Sequence, residues 1–298
     1  MQAVNTLNRS LRGTAMRAGQ LLLIRPATSA LAVRPSSLFR EALLPRHSTN
    51  FTRGYATSQP SLPIQSLGVA AYEYVPPTGA NLPPLTKYPK LYIKEIGRRI
   101  KWRLQMGLRV ILLRVRYKRK ARWNEWREEA TSTYVELNEA FARRNTTEVS
   151  RLSTMFVSAH LEGRIKNMDK DWELSWELEK FLEPVKLISV SPVDMGNDSA
   201  VTYLQLVYRF YSQQKLELTY AKNRKVPKKT DERKVLDYIV FVMNMDTGEI
   251  RVSGSLFECP VTEPIPTQVM SEGLILNSMK KHGDIFRKKP APTDFSAV

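Results

Sequence analysis

Apolar and polar positions change rhythm near Pro184. Upstream, Trp123, Trp126, Ala130, Tyr134, Leu137 and Phe141 recur every three or four residues, the spacing of one helical face. Asn145 marks a stop. A second helix is expected from Thr146 or Thr147 through Leu152, Met155, Phe156 and Ala159, with Gly163 as its closing glycine. Between Trp172 and Pro184, Trp172, Leu174, Trp176 and Leu178 alternate strictly, yet Glu173, Glu177 and Glu179 are good helix formers; the reading leans to helix there.

Beyond Pro184 the period becomes two. Strands are expected from Val185 to Ser191, Ala200 to Tyr211, Leu216 to Tyr220, Leu236 to Met243 and Ile250 to Phe257. Turns fall at Met195–Asp198 and in a hairpin at Asn244–Gly248. Helices followed by antiparallel strands predict an α+β domain over residues 123–262.

Residues 90–122 also read as helix, with breaks at Gly97 and Gly107. Leu91, Ile93, Ile96, Ile100, Leu104, Leu108, Ile111, Leu112 and Val115 recur at helical spacings. Residues 56–89 form a proline-rich arm with Pro60, Pro63, Pro76, Pro77, Pro83, Pro84 and Pro89, which disfavour helix. Leu62, Ile64, Leu67, Val69, Tyr72, Tyr74 and Val75 make it more apolar than a solvated spacer, so it is expected to lie in a partner's groove or tunnel. No apolar run reaches the roughly 18–20 residues of a membrane-spanning helix.

Charge sharpens this outline. The 298 residues carry 46 Lys+Arg against 29 Asp+Glu, a net +17, and the excess is confined to two segments. Residues 1–55 hold eight Arg, no Lys and one acid, Glu41. With their Ser and Thr content and a basic amphipathic stretch from Leu7 to Ile24, they read as a mitochondrial presequence. Arg53, Tyr55 and Ala56 fit a matrix-protease cleavage site, with the cut after Tyr55. Residues 87–122 hold 14 basic residues and one acid, Glu95. Such a run asks for a polyanion, either nucleic acid or an anionic membrane. Arg98, Arg99, Lys101, Arg103, Arg109, Arg114, Arg116, Lys118, Arg119, Lys120 and Arg122 are the candidate phosphate contacts, on RNA or anionic lipid. A second patch, between strands, adds Lys225, Lys228 and Lys229. The tail over 263–298 is basic too, with Lys280, Lys281, Arg287, Lys288 and Lys289.

Candidate chemistry is thin. One Cys and three His leave no Cys/His zinc set. There is no phosphate-binding lysine loop, no glycine-rich dinucleotide turn and no nucleophile elbow. His160 has no Cys nearby to activate, Cys259 reads as a passive thiol at a strand end, and Asp169, Asp171, Glu173, Glu177 and Glu179 read as a solvated face. Neither an enzyme nor a cofactor is expected.

Trp176 to Glu183 running into Pro184 and Val185, and residues 235–242 followed by the Asp246-Thr247-Gly248 hairpin, carry a resemblance to the mitochondrial ribosome-receptor family. That family takes in a fungal inner-membrane mitoribosome receptor and the animal large-subunit mitoribosomal protein forty-five. It shares a domain with the import-motor scaffold of the inner-membrane translocase, which is the alternative reading. The resemblance covers about residues 120–260 in pattern and 87–120 in character; Ile250, Arg251 and Val252 stand where relatives often carry a Trp. It implies a cone-like α+β domain, a curved antiparallel sheet packed on helices, with the basic helix against ribosomal RNA or anionic lipid and the arm at or inside the exit tunnel. It also implies a peripheral place on the matrix side of the inner membrane. The implied partners are the large mitoribosomal subunit near its exit, anionic lipids, a membrane insertase and nascent chains.

Overall fold

In the computed structural model, which describes residues 63–70, 73–117, 120–193, 203–220, 229–265, 272–293 and 295, five strands form one open antiparallel sheet. The strands are β1 (Trp172–Phe181), β2 (Lys186–Val193), β3 (Tyr203–Tyr220), β4 (Lys229–Asn244) and β5 (Ile250–Leu256). β3 is the spine: one edge pairs with β4, and the other is shared end to end by β2 and β1. The helices are α1 (Pro89–Tyr117), α2 (Trp123–Ala142), α3 (Thr146–Leu152), α4 (Met155–Lys166) and α5 (Glu272–His282). Bulges at Leu178/Lys180, Leu187/Ser189 and Val240/Phe241 bend the strands.

Both faces of the sheet are covered, and the two-residue period decides what goes where. Leu204, Leu206, Tyr208 and Phe210 of β3, with Ile239, Phe241 and Met243 of β4, face the helix layer and pack with Trp126, Tyr134, Leu137 and Phe141 of α2. The alternate residues Tyr203, Val207, Tyr238, Val240 and Val242 face the arm, where Ile64, Leu67, Val69 and Val75 are buried against them. The arm's apolar character thus has an explanation inside this chain.

One polar network crosses the helix-side core. Tyr134 donates to Asp237 at 2.9 Å, Gln214 donates to the Tyr134 hydroxyl at 2.7 Å, and Trp176 donates to Gln214 at 3.0 Å. Burial, and then the Asp237 carboxylate, push the Tyr134 phenol well above its usual range.

Four local expectations are corrected. Residues 172–181 are a strand, not a helix, because Trp172, Leu174 and Trp176 have partners in Tyr220, Leu218 and Leu216 across β3; cross-strand burial overrides the helix propensity of the outward glutamates. The helix expected from 146 to 163 is split, since Ser153 bridges to Val252 and Thr154 donates its N–H to the Val252 carbonyl at 2.9 Å. Gly163 consequently sits inside α4, not at its end. The two strands expected over 200–220 are one, because Gln213, Gln214 and Lys215 keep the ladder with β4 unbroken. The breaks expected at Gly97 and Gly107 are absent: α1 runs through both, and a Cβ at either would meet open space. The turn expected at Met195–Asp198 lies outside the described residues.

The C-terminal segment closes over β5. Met279, Ile285, Phe286 and Phe295 are buried, and so is His282, whose Nδ1 accepts from Arg287 Nη1 at 2.8 Å. Burial first, then the charges of Arg287 and Lys281, hold the His282 pKa down to about 3. The folded protein therefore refuses a proton that the unfolded chain accepts near pH ~6.5. This contribution to stability is fully present above about pH 6.5 and is lost as the pH falls towards the folded value, by up to about tenfold in the folding constant per pH unit. Melting temperature followed from about pH 7.5 down to about 5.5 should fall more steeply for the parent than for His282→Gln. Parallel curves would show that this imidazole is not the titrating group.

Candidate functional site

Helix α1 carries most of the cationic run, and its two faces do different things. Its start is set by Pro89 at the first helical position, where a missing N–H costs nothing. The inner face packs against β2 and bonds to the arm. There Glu95, completely buried, accepts from the Tyr74 hydroxyl and from Arg99 Nε at 3.1 Å. Burial, then the bond to Glu95, raise the Tyr74 phenol. Arg98 lies over the Tyr74 ring at 5.1 Å and donates to the Pro260 carbonyl at 2.8 Å. Arg99 also donates to the Pro77 carbonyl. Trp102 meets Tyr74 edge-on at 5.7 Å.

Further along, Arg109 stacks on Trp102 at 5.0 Å and donates to both oxygens of Glu73, at 3.1 and 2.9 Å. Ser189 and Ser191, from β2, donate to the same carboxylate. A second carboxylate anchors the arm: Glu258 accepts from Thr78, from Asn81 at 2.6 Å and from Tyr238 at 2.9 Å. Burial alone would raise its pKa, but these hydrogen bonds outweigh it and the pKa is lowered.

Arg98, Arg99 and Arg109, three of the candidate polyanion contacts, are thus bound to the arm and the sheet. Lys101, Arg103, Arg114, Lys120 and Arg122 are exposed. Arg122 pairs with Glu125 at 3.1 Å, in solvent. Lys120 and Arg122 line an open cavity of ≈ 660 Å³ together with Glu125, Glu129 and Asp246, so acids offset them on that side. Arg116 belongs to the last turn of α1. Lys118, Arg119, Lys225 and Lys228 lie outside the described residues, as do Arg53, Tyr55 and Ala56. Lys229, exposed, opens β4 opposite Leu218. That is the end of β3 away from β2, so it is not brought to α1.

What the sequence reading missed is the direction of the apolar repeat. Ile93, Ile96, Ile100, Leu104, Leu108, Ile111, Leu112 and Val115 point outwards, each between 42% and 71% exposed. The inward phase is Trp102, Met106, Val110 and Leu113, interleaved with the buried ion pairs. The signal was present as two apolar phases on one helix, the second in register with Glu95 and Arg109.

Residues 54–291 match the family model described as "MBA1-like protein", a span that takes in the described arm, α1, the sheet and α5. The chain belongs to the MBA1-like family. A relative from Saccharomyces cerevisiae (strain ATCC 204508 / S288c), named "Inner membrane mitoribosome receptor MBA1, mitochondrial", is 28% identical over 273 residues, covering 91% of this chain and 97% of its own length. The MBA1-like match extends well upstream of residue 123, and so includes the clasp between arm and helix. Among the described residues no helix is long and apolar enough to cross a membrane, and no three His, Cys, Asp or Glu side chains come together as a metal site would need.

Proposed function

We propose that this chain is a mitoribosome receptor held peripherally on the matrix side of the mitochondrial inner membrane. It keeps the exit of the large subunit near the membrane insertase, so that apolar nascent chains enter the bilayer before they aggregate. The role is positional and needs no catalytic group. The observation that carries the reading is the near full-length match to the yeast protein of that name; the cationic end of α1 supports it as a surface for ribosomal RNA.

Co-sedimentation with mitochondrial large subunits across a salt series tests it. Binding should weaken with salt, and Arg114→Gln, Arg116→Gln, Lys118→Gln, Arg119→Gln and Lys120→Gln together should flatten the dependence. Five lost phosphate contacts would reduce the slope of log K against log salt by about 3.5–4.5. An unchanged slope would remove this cluster as the contact. Absence of ribosome binding, with recovery of the translocase instead, would favour the import-motor scaffold.

A further inference from the structure

The exposed aliphatic stripe of α1 is the least explained surface of the molecule. Eight Ile, Leu and Val side chains lie within an arc of roughly 160° of the helix circumference and run along about 33 Å of its length. A folded domain does not leave so long an aliphatic row in water without an occupant. Gly97 and Gly107 fall on the same face with open space above them, which lowers its profile. Lys94 and Arg103 are exposed at the two edges of the row, Lys101 lies just inside one edge, and Lys90 precedes it on α1. The one acid of residues 87–122, Glu95, is buried beneath the helix. The outward surface of α1 is therefore aliphatic at its centre, cationic at its margins and without a described acid.

We infer that α1 is an in-plane membrane anchor, lying along an anionic bilayer with its stripe at the headgroup–acyl boundary and its flanking cations among lipid phosphates. This rests on the membrane-surface place proposed above and deepens it by naming the surface that makes the contact. Three features favour lipid over a protein groove. The row holds no aromatic side chain, whereas protein–protein contact cores are enriched in Tyr, Trp and Phe. It runs along the convex surface of one uninterrupted helix, suited to lying in an interface. The cations flank the apolar row, as they do in helices whose Lys and Arg reach up to headgroups while their stems stay in the apolar layer. The inner-face ion pairs then have a clear purpose: Arg98, Arg99 and Arg109 hold α1 to the body so that the body cannot roll away from the bilayer.

The test uses the full chain and vesicles of phosphatidylcholine containing about one-fifth phosphatidylglycerol. Ile100→Gln, Leu104→Gln and Leu108→Gln together should weaken flotation with vesicles by at least about a hundredfold. These side chains are in solvent, so the melting temperature should not fall, and ribosome co-sedimentation without lipid should be unchanged. Lys94→Gln, Lys101→Gln and Arg103→Gln together should weaken binding by about tenfold or more and flatten its salt dependence. In Leu104→Cys, labelled selectively because Cys259 is buried, an environment-sensitive dye should shift to the blue on vesicles and be quenched by acyl-chain bromines.

Undiminished flotation of the stripe variant would overturn the inference. Loss of ribosome binding by that variant would make the stripe a ribosomal-protein contact. A parent dimer that becomes monomeric with the stripe substitutions would make it a self-association face. Failure of the receptor reading looks different: the unaltered chain would float with vesicles yet never sediment with ribosomes.

Discussion

Replacing Glu73 by Gln should destabilise the protein by about 3–5 kcal/mol, the range seen when one partner of a buried ion pair is removed. The Glu73 side chain has no solvent exposure and that of Arg109 has 17%. Neutralising the first leaves the second charged and largely shut off from water. Ser189 and Ser191 lose the carboxylate they donate to, and the new amide presents a donor where three donors already converge. For a chain of this size the melting temperature should drop by roughly 10 °C. Glu73→Leu combined with Arg109→Met should recover much of the loss, because it removes both charges and keeps the volume. Chemical denaturation of the single and double variants checks this. A cost under about 1 kcal/mol for Glu73→Gln would show that the pair is not what seats the arm.

Gly254→Ala should be nearly as damaging, for a steric reason. A Cβ there would lie 2.1 Å from the His282 carbonyl oxygen and 2.8 Å from a methyl of Val69. Arm, β5 and C-terminal segment meet at this point, opposite the bulge at Val240/Phe241. None can retreat without moving backbone, so a loss of about 3 kcal/mol is expected, at the upper end for overpacking. Gly163→Ala is the matched comparison. It lies mid-helix with nothing within 4 Å, and it should gain about 0.5–1 kcal/mol from the lower entropy of the unfolded chain. Equal melting temperatures for the two alanine variants would sink the close-packing account.

Legibility in the sequence followed range. β3, β4, β5 and their hairpin could be read because alternation and the Asn244–Gly248 turn are local signals. Their exact reach could not, since Gln213 to Lys215 look like a break until β4 is seen beside them. β1 was misread because its glutamates speak for helix while its tryptophans depend on β3. The candidate site was legible as a charge run but not as a geometry. Periodicity fixes the phase of an apolar row and says nothing of which row faces inwards. Arg98 and Arg109 look like their exposed neighbours in sequence, and only Pro260, Glu73 and Ser191 distinguish them.

The clasp has a bearing on the order in which the molecule can be completed. Val75 donates its N–H to the Cys259 sulfur, and Cys259 donates its own back to the Val75 carbonyl at 2.9 Å, closing a loop across 184 positions. Closing so long a flexible loop costs on the order of 5 kcal/mol of chain entropy, which the β4–β5 hairpin, built from near neighbours, does not incur. Arm and α1 precede the sheet in the sequence, yet their seat is finished only when the strand before Cys259 is in place. Until then α1 has neither Pro260 for Arg98 nor a seated Glu73 for Arg109. The helix that faces outwards in the finished protein is thus secured only after the whole sheet has been laid down.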